Sequence, residues 1–339
     1  MIFFRIDLSS KHGLGHYNRI KSLINYLDLK KYKIIVDKLP NTSFFKNEKK
    51  NIIALYKNDS YFISEKNDAS IFLKIVKSKH NNLIVIKDSY RLGFKWEKHI
   101  YKYCKKLISI DDFPESKHFV DYYINHSPSF SKKNNQVLRV LKKNNKKNCN
   151  FLLGASYALF NSTYSKKKKI ISDFIFYNGG SGNLLIYEKI IKKLCKIKKT
   201  PFKIILIVGP FAKNYKTVCQ KFKQQKNVKI LHQPENILNA LIGTKVFISS
   251  SGVSVFESSF LKIPSLLFKM NINQNLIDSD YEQLGHYFNL KKDDLNSYDK
   301  IANLAILMMK NKIQIERMMS KTIINIKKIK NNYQKLLKL

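Results

Sequence analysis

Short apolar runs alternate along this chain with segments whose apolar residues recur at helical spacing, the pattern of strands alternating with helices. Residues 2–6 read as a buried strand, Gly13-Leu14-Gly15 as a tight loop, and residues 16–27 as a helix with Ile20, Leu23, Ile24 and Leu27 on one face. Residues 83–86 form a second strand that runs out at Asp88-Ser89-Tyr90. Residues 107–110 form a third, ending at Asp111-Asp112, and residues 122–124 a fourth, ending at Asn125-His126. Polar residues gather just past these strand ends, where open parallel sheets bind ligands. Residues 131–150, rich in Lys and Asn, read as a mobile loop, and the lysine-rich stretch 165–169 marks a domain boundary.

The second half repeats the pattern. A strand at 174–177 leads into Asn178-Gly179-Gly180-Ser181-Gly182 and a helix at 184–194. Strands follow at 202–208, ending in Gly209-Pro210, and at 228–231, then a short helix at 235–241. A strand at 246–249 runs into Ser250-Ser251-Gly252, a helix spans 253–261, a strand 265–268 and a helix 273–284, and residues 298–339 read as helical to the end. Such alternation implies right-handed crossovers and parallel sheets. The expected fold is α/β with parallel sheets, in two domains at residues 1–168 and 169–339. A length of 339 residues fits two domains.

Composition changes this picture little. Hydrophobic residues are 44% of the chain and aromatic residues 12%, enough for ordinary cores and against disorder. The balance of 63 Lys+Arg against 24 Asp+Glu gives a net charge of +39. A basic surface for nucleic acid, an anionic membrane or an acidic glycan would carry such charge. Here the excess is spread along the whole chain and is nearly all lysine, with arginine only at Arg5, Arg19, Arg91, Arg139 and Arg317. Readers of bases and phosphates use the planar fork of arginine, so the excess reads as compositional bias and no nucleic-acid partner is expected. Cys104, Cys149, Cys195 and Cys219 form no C-x-x-C pair and have no adjacent His cluster, which argues against zinc and for a reducing, cytoplasmic setting. Arg5 and Asp7 interrupt the apolar start, and no apolar run reaches the roughly 18 residues that span a bilayer, so neither signal peptide nor membrane insertion is expected.

The candidate chemistry sits in the loops. Glycine occurs only 11 times, yet Gly13, Gly15, Gly179, Gly180 and Gly182 fall in two strand-to-helix loops. Glycine there lets a ligand approach the backbone, and the following helix start offers N–H groups to an anion. Ordinary tight turns would use the same residues. His16 falls in a first helical turn, where the positive end of the helix dipole is expected to keep the imidazole neutral near pH 7 and so able to accept a proton. A capping or core histidine would occupy the same place. The stretch Ser249-Ser250-Ser251-Gly252-Val253-Ser254-Val255-Phe256-Glu257 leads small hydroxyl residues into a helix. Its N–H groups suit a diphosphate, and Glu257 could take both hydroxyls of a ribose; an N-cap serine with a solvated glutamate would look alike. Asn273-Gln274 opens the next expected helix.

Together these motifs resemble one family, the UDP-sugar hydrolases of pseudaminic acid biosynthesis (the PseG family). Its signature R-x-D-x-S, spacer, G-x-G-H-x-x-R stands here as Arg5, Asp7, Ser9, Gly13, Gly15, His16 and Arg19. Its later motifs are matched in order by Asp88-Ser89-Tyr90, Ser109-Ile110-Asp111-Asp112, Gly154-Ala155-Ser156-Tyr157-Ala158-Leu159, Gly179-Gly180, Ser251 through Glu257, and Asn273-Gln274, so the similarity runs from residue 1 to about residue 290. The resemblance implies a GT-B architecture with two Rossmann-like domains facing a cleft, and neither metal nor redox cofactor. It implies a UDP-sugar substrate cleaved to UDP and free sugar for nonulosonic acid synthesis. Carried over, His16 is the base and Tyr90 positions the water. Arg5, Asp7, Ser9, Gly13, Gly15, Arg19, Asp88 and Tyr157 line the sugar. Gly179, Gly180, Ser250, Ser251, Gly252, Val253, Glu257, Asn273 and Gln274 hold the UDP. The sequence departs from the family at Gly179-Gly180-Ser181-Gly182-Asn183, where the family commonly reads G-G-T-D, and in its longer loop and tail. The same fold serves glycosyltransferases, including the MurG family, so a transferase using a UDP-sugar donor is the alternative, and a non-enzymatic polyanion-binding protein a second. Oligomeric state is not legible in the sequence.

Overall fold

The computed structural model describes residues 1–9, 13–39, 43–56, 63–76, 83–130, 135–164, 171–197, 201–234, 236–270, 274, 276–286, 288–319 and 321–338. The first unit comprises Met1–Leu159 together with Ile326–Leu339, and the second comprises Phe160–Asn325. The break therefore falls after Leu159 and not at 168, and the terminal helix joins the first unit, a correction to the domain limits expected from the lysine run.

The first unit carries β1 (Ile2–Ile6), α1 (Gly15–Tyr26), β2 (Tyr32–Val36), β3 (Ile52–Ala54), α2 (Glu65–Val76), β4 (Leu83–Asp88), α3 (Phe94–Tyr101), β5 (Cys104–Ile110), β6 (Tyr122–Asn125), α4 (Asn135–Asn144) and β7 (Asn150–Leu153). Its sheet order is β3-β2-β1-β4-β5-β6-β7, all parallel. β1 pairs with β2 on one side and β4 on the other. The direction of winding thus reverses between β1 and β4, which makes their C-terminal ends the topological switch point. The strands β2 and β3 and the helices α2 and α3 add to the elements read from the sequence. The stretch expected as a loop at 131–150 instead contains α4, with residues 131–134 outside the described residues. Its lysines and asparagines mask the helical spacing of Val137, Leu138 and Leu141, which pack on the core of Val85, Leu107 and Tyr123.

The second unit carries β8 (Ser172–Tyr177), α5 (Leu185–Ile197), β9 (Ile204–Val208), α6 (Tyr215–Phe222), β10 (Val228–His232), α7 (Leu238–Leu241), β11 (Thr244–Ser250), α8 (Ser254–Phe260), β12 (Ser265–Phe268), α9 (Asp278–Gln283), β13 (Phe288–Leu290), α10 (Tyr298–Lys310) and α11 (Lys312–Met319). The order β10-β9-β8-β11-β12-β13 repeats that of the first sheet, with its switch point between β8 and β11. Strand alternation divides the core in two. Phe174 and Phe176 pack with α5 and α10, while Ile175 and Tyr177 pack with Ile205, Ile207 and Leu238 on the other face. The expected helix from Asn273 begins only at Asp278; Asn273 lies outside the described residues.

The segment expected as one helical tail is broken into α10, α11 and α12 (Ile326–Lys338). In α12, Ile329, Tyr333 and Leu336 recur at helical spacing and are buried, while the lysines between them lie elsewhere on the helix. The Tyr333 hydroxyl donates to the Tyr157 carbonyl at 2.6 Å, and Lys106 Nζ donates to the Leu336 carbonyl at 2.6 Å. The final helix is thus part of the first unit's core. Tyr333→Phe removes one buried hydrogen bond and should cost about 1 kcal/mol, whereas Tyr333→Ala leaves a large cavity and should cost about 3–5 kcal/mol. Chemical denaturation checks this, and equal losses for the two variants would show that the ring itself packs nothing.

Candidate active site

The first switch point is crowded with charge. The loop after β1 is closed by the Gly13 N–H bonding the Ser9 carbonyl at 2.9 Å. Gly13 adopts φ 71, a conformation that favours glycine. Helix α1 then starts at Gly15, beyond which there is open space for an added Cβ. His16 follows in the first turn and Arg19 one turn later, so both side chains reach the end of β4.

There they meet Asp88. His16 Nδ1 lies 2.6 Å from Asp88 Oδ1, and Arg19 donates from Nε to Asp88 Oδ2 at 2.9 Å and from Nη2 to Oδ1 at 2.6 Å. Arg19 Nη1 reaches across to Asp112, just past β5, at 2.9 and 2.8 Å from its two oxygens. The Tyr90 hydroxyl donates to Asp112 as well, and the Tyr90 ring meets His16 edge-on with centroids 4.6 Å apart. One guanidinium thus bridges two carboxylates, of which one holds His16 and the other Tyr90.

The protonation states follow. Burial drives Asp112 up, but Arg19 and its other neighbours bring it down to about 2. Burial likewise opposes ionisation of Asp88, and Arg19 and His16 more than reverse it, so its pKa is lowered. Burial lowers the His16 pKa, and the charge and hydrogen bond of Asp88 outweigh that, so the net shift is upward. The helix dipole was expected to keep His16 neutral. The structure shifts the pKa the other way, because a full charge at hydrogen-bond distance outweighs the half charge of a helix end. Burial and Asp112 push the Tyr90 phenol up, so it keeps its proton and donates it. With Nδ1–H pointing to Asp88, the lone pair of the neutral ring is on Nε2.

Several residues expected at the substrate are tied into the scaffold. Arg5 is fully buried and tied to Asp37 and Asp68, with Nη2 donating to Asp68 Oδ2 at 2.7 Å. Asp7 is fully buried and accepts from the Ser89 hydroxyl at 2.9 Å and the Tyr90 N–H at 3.1 Å, which fixes the loop that carries Tyr90. Tyr157, in a short 3₁₀ turn, contacts α12 through Tyr333. Behind the cluster runs a second buried network: Lys87 Nζ to Glu97 at 2.8 Å, Glu97 to His118 Nδ1 at 2.8 Å, and His118 Nε2 to Asp111 at 3.4 Å. Lys87 and Asp111 directly precede Asp88 and Asp112, so this network braces the same two strand ends. Sequence reading quoted Asp112 within a motif without giving it a role; its position after a strand in the Asp111-Asp112 pair was the available signal.

In the second unit, the loops after β8 and β11 meet at the other switch point. Gly179 has φ 67 and open space beyond it. The Gly180 carbonyl accepts the Phe211 N–H at 2.8 Å. Gly209, legible in the sequence only as a strand end, is what permits this: a Cβ there would stand 2.4 Å from the Gly179 carbonyl oxygen and 2.7 Å from the Gly180 Cα. After β11, the N–H groups of Ser251 and Gly252 were expected to face a diphosphate. They are bonded at 2.9 Å to the carbonyls of Phe268 and Ser250. The first-turn N–H groups of Val253 and Ser254 make no backbone hydrogen bond among the described residues. Ser250 closes β11 and is buried, and Gln274 Oε1 accepts the Met270 N–H at 2.7 Å. Glu257 is buried within α8. Burial pushes its carboxyl up to about 8, against a small opposing effect of the Asn161 N–H. Among the described residues, no group of three or more His, Cys, Asp or Glu side chains is placed to hold a metal ion, and no helix is long and apolar enough to cross a membrane.

No family model matches this chain. A curated protein of Methanocaldococcus jannaschii, itself described as uncharacterized, is 24% identical over 290 residues, covering 81% of this chain and 57% of that protein. The chain thus spans little more than half the length of that relative. Among solved structures, MurG of Acinetobacter baumannii superposes with a TM-score of 0.52 at 11% identity, covering 98% of this chain and 99% of that one. A UDP-glucosyltransferase from Polygonum tinctorium gives 0.57 at 10% identity, covering 99% and 98%. Anabaena HepE, solved in complex with UDP-glucose, gives 0.58 at 9% identity, covering 100% and 99%. At such identities the likeness is one of fold, and the fold is GT-B: two parallel-sheet α/β units of the kind found in these glycosyltransferases.

Proposed function

We propose that this chain hydrolyses a UDP-linked deoxy-amino sugar to UDP and free sugar, for synthesis of a pseudaminic-type acid. The observation that carries the reading is the His16–Asp88 pair at the β1/β4 switch point, 2.6 Å from nitrogen to oxygen. It is the arrangement a general base needs: Asp88 orients the ring and stabilises the imidazolium that forms. Water attacks the anomeric carbon and its proton passes to His16 Nε2. The bond from that carbon to the diphosphate oxygen breaks, and the electron pair leaves on UDP. Tyr90, packed against the ring, positions the water. Arg19 and Asp112 keep Asp88 and Tyr90 in place.

The UDP would sit on the second unit. Gly179 and Gly180 offer close approach to the backbone, Ser250 through Val253 and Gln274 flank the diphosphate, and Glu257 takes the ribose hydroxyls. No cofactor is required. The resemblance of the ordered motifs to the pseudaminic acid hydrolases supports water as acceptor. A transferase is the second reading, favoured by the glucosyltransferase of similar fold; it would use the same base on a sugar hydroxyl. Incubation with UDP-sugars and no acceptor separates the two. UDP released without acceptor supports hydrolysis, and release only on adding a sugar acceptor supports transfer.

His16→Asn should keep the fold and the UDP affinity while lowering the rate by about 10²–10⁴. A base must be neutral to act, so the wild-type kcat/KM should fall as pH drops through the His16 pKa, with a midpoint above the ordinary 6.5. Asp88→Asn removes the charge that raises it and should move that midpoint down. A rate within about threefold of wild type for His16→Asn places the base elsewhere.

Glu257 makes a separate prediction. Its folded pKa is raised from 4.5 to about 8, so its neutral form is favoured in the folded state. That stabilisation is complete below pH 4.5 and is lost as pH rises through 8. The Glu257→Gln variant lacks this dependence, so its melting temperature relative to wild type should climb across that window. Measured above pH 8, where the Glu257 carboxylate is ionised, the same variant should bind UDP more weakly, by about 1.5–3 kcal/mol. An unchanged Kd for UDP removes Glu257 from the ribose.

A further inference from the structure

The cluster at the first switch point has a far end that the proposed mechanism does not use. Read in order, its side chains form a ladder: His16, Asp88, Arg19, Asp112 and then His126, whose Nε2 lies 3.9 Å from Asp112 Oδ1. That last gap is too long for a direct hydrogen bond. The sheet order explains the row. β1, β4, β5 and β6 are neighbours, and each sets a polar residue at or just beyond its C-terminal end: Asp7, Asp88, Asp112 and His126. This is the edge at which open parallel sheets take ligands. Asp7 and Asp88 have fully buried side chains engaged by protein donors, and His126 keeps 11% of its side-chain surface exposed. The turn that presents it is fixed by Asn125, whose Oδ1 accepts the Ser127 N–H at 2.9 Å.

The charge around His126 sets what it can recognise. Burial lowers its pKa, Asp112 and Asp88 oppose this and Arg19 adds to it, leaving it pushed down to about 4. The ring is therefore neutral at ordinary pH, with one N–H donor and one acceptor nitrogen. Such a ring pairs with an uncharged polar group, a hydroxyl or an amide. A cationic amine in the same place would meet the burial that keeps the ring neutral, which outweighs the pull of Asp112 and Asp88 there. The two imidazoles of the ladder thus have opposite settings: Asp88 supports charge on His16, and the surroundings of His126 suppress it.

We infer that His126 is a specificity-determining residue that contacts an uncharged hydrogen-bonding substituent, hydroxyl or acylamino, on the sugar acted on at His16. This rests on the nucleotide-sugar reading above. It adds a sugar-reading position at the end of β6, separate from the base.

Isothermal titration of the full chain with UDP, UDP-glucose, UDP-N-acetylglucosamine and UDP-glucosamine tests it. The readout is the sugar increment, the ratio of the Kd for UDP to the Kd for each UDP-sugar. The wild type should show an increment for UDP-glucose or UDP-N-acetylglucosamine, and His126→Ala should reduce it by about tenfold while leaving the Kd for UDP unchanged. His126→Gln, which keeps a donor and an acceptor, should restore part of it. The increment for UDP-glucosamine should stay below that for UDP-N-acetylglucosamine; the reverse order overturns the uncharged assignment. An increment unchanged in His126→Ala, absent from the wild type, or lost together with UDP affinity overturns the inference. A wild-type chain that binds no UDP at all sinks the nucleotide-sugar reading itself, and this inference with it.

Discussion

The first unit's site depends on one guanidinium shared between a buried carboxylate, Asp88, and a half-buried one, Asp112. Arg19 binds both oxygens of Asp88 and both oxygens of Asp112, and the fully buried Asp88 could not remain ionised at that depth alone. Because they stay charged, Asp88 can hold His16 and Asp112 can accept from Tyr90. Breaking a buried pair of this kind typically costs about 3–5 kcal/mol, because a bare charge is left behind. The residues around it are arranged to prevent that: Asp7 pins the Tyr90 loop, and the Lys87–Glu97–His118–Asp111 network braces the ends of β4 and β5.

Glu257 shows the contrast. It too is a buried carboxyl, but the surroundings that act on its pKa include no cation, and burial holds it up at about 8. Asp112, half-buried and facing Arg19, is held at about 2. The two acids differ by their neighbours and not by their chemistry. Both lie near the switch points of sheets with the same strand order, β3-β2-β1-β4-β5-β6 in the first unit and β10-β9-β8-β11-β12-β13 in the second.

What the sequence showed and what it hid divide along sequence separation. The Gly13-Leu14-Gly15 and Gly179-Gly180 loops, and strand ends such as Asp88-Ser89-Tyr90, are set by turn chemistry over a few residues and were legible. The helix α4 was not, because lysines and asparagines covered its apolar spacing. The buried ties of Arg5 were not legible because its partner Asp68 lies 63 residues away. The electrostatics of His16 were misjudged for the same reason: the local helix start was visible, and the carboxylate that overrides it is 72 residues distant. Gly209 was legible only as a strand end, because its need for a bare Cα arises only when the loops after β8 and β9 meet.

The central claim is that Asp88 fixes His16 as a base with Nε2 as its reactive nitrogen. Nitrogen-15 NMR of histidine-labelled protein across a pH titration measures this directly. The account predicts that the His16 Nδ1 stays protonated throughout, that Nε2 is the nitrogen that titrates, and that its midpoint lies above 6.5. Titration at Nδ1, or a midpoint below 6.5, would contradict it.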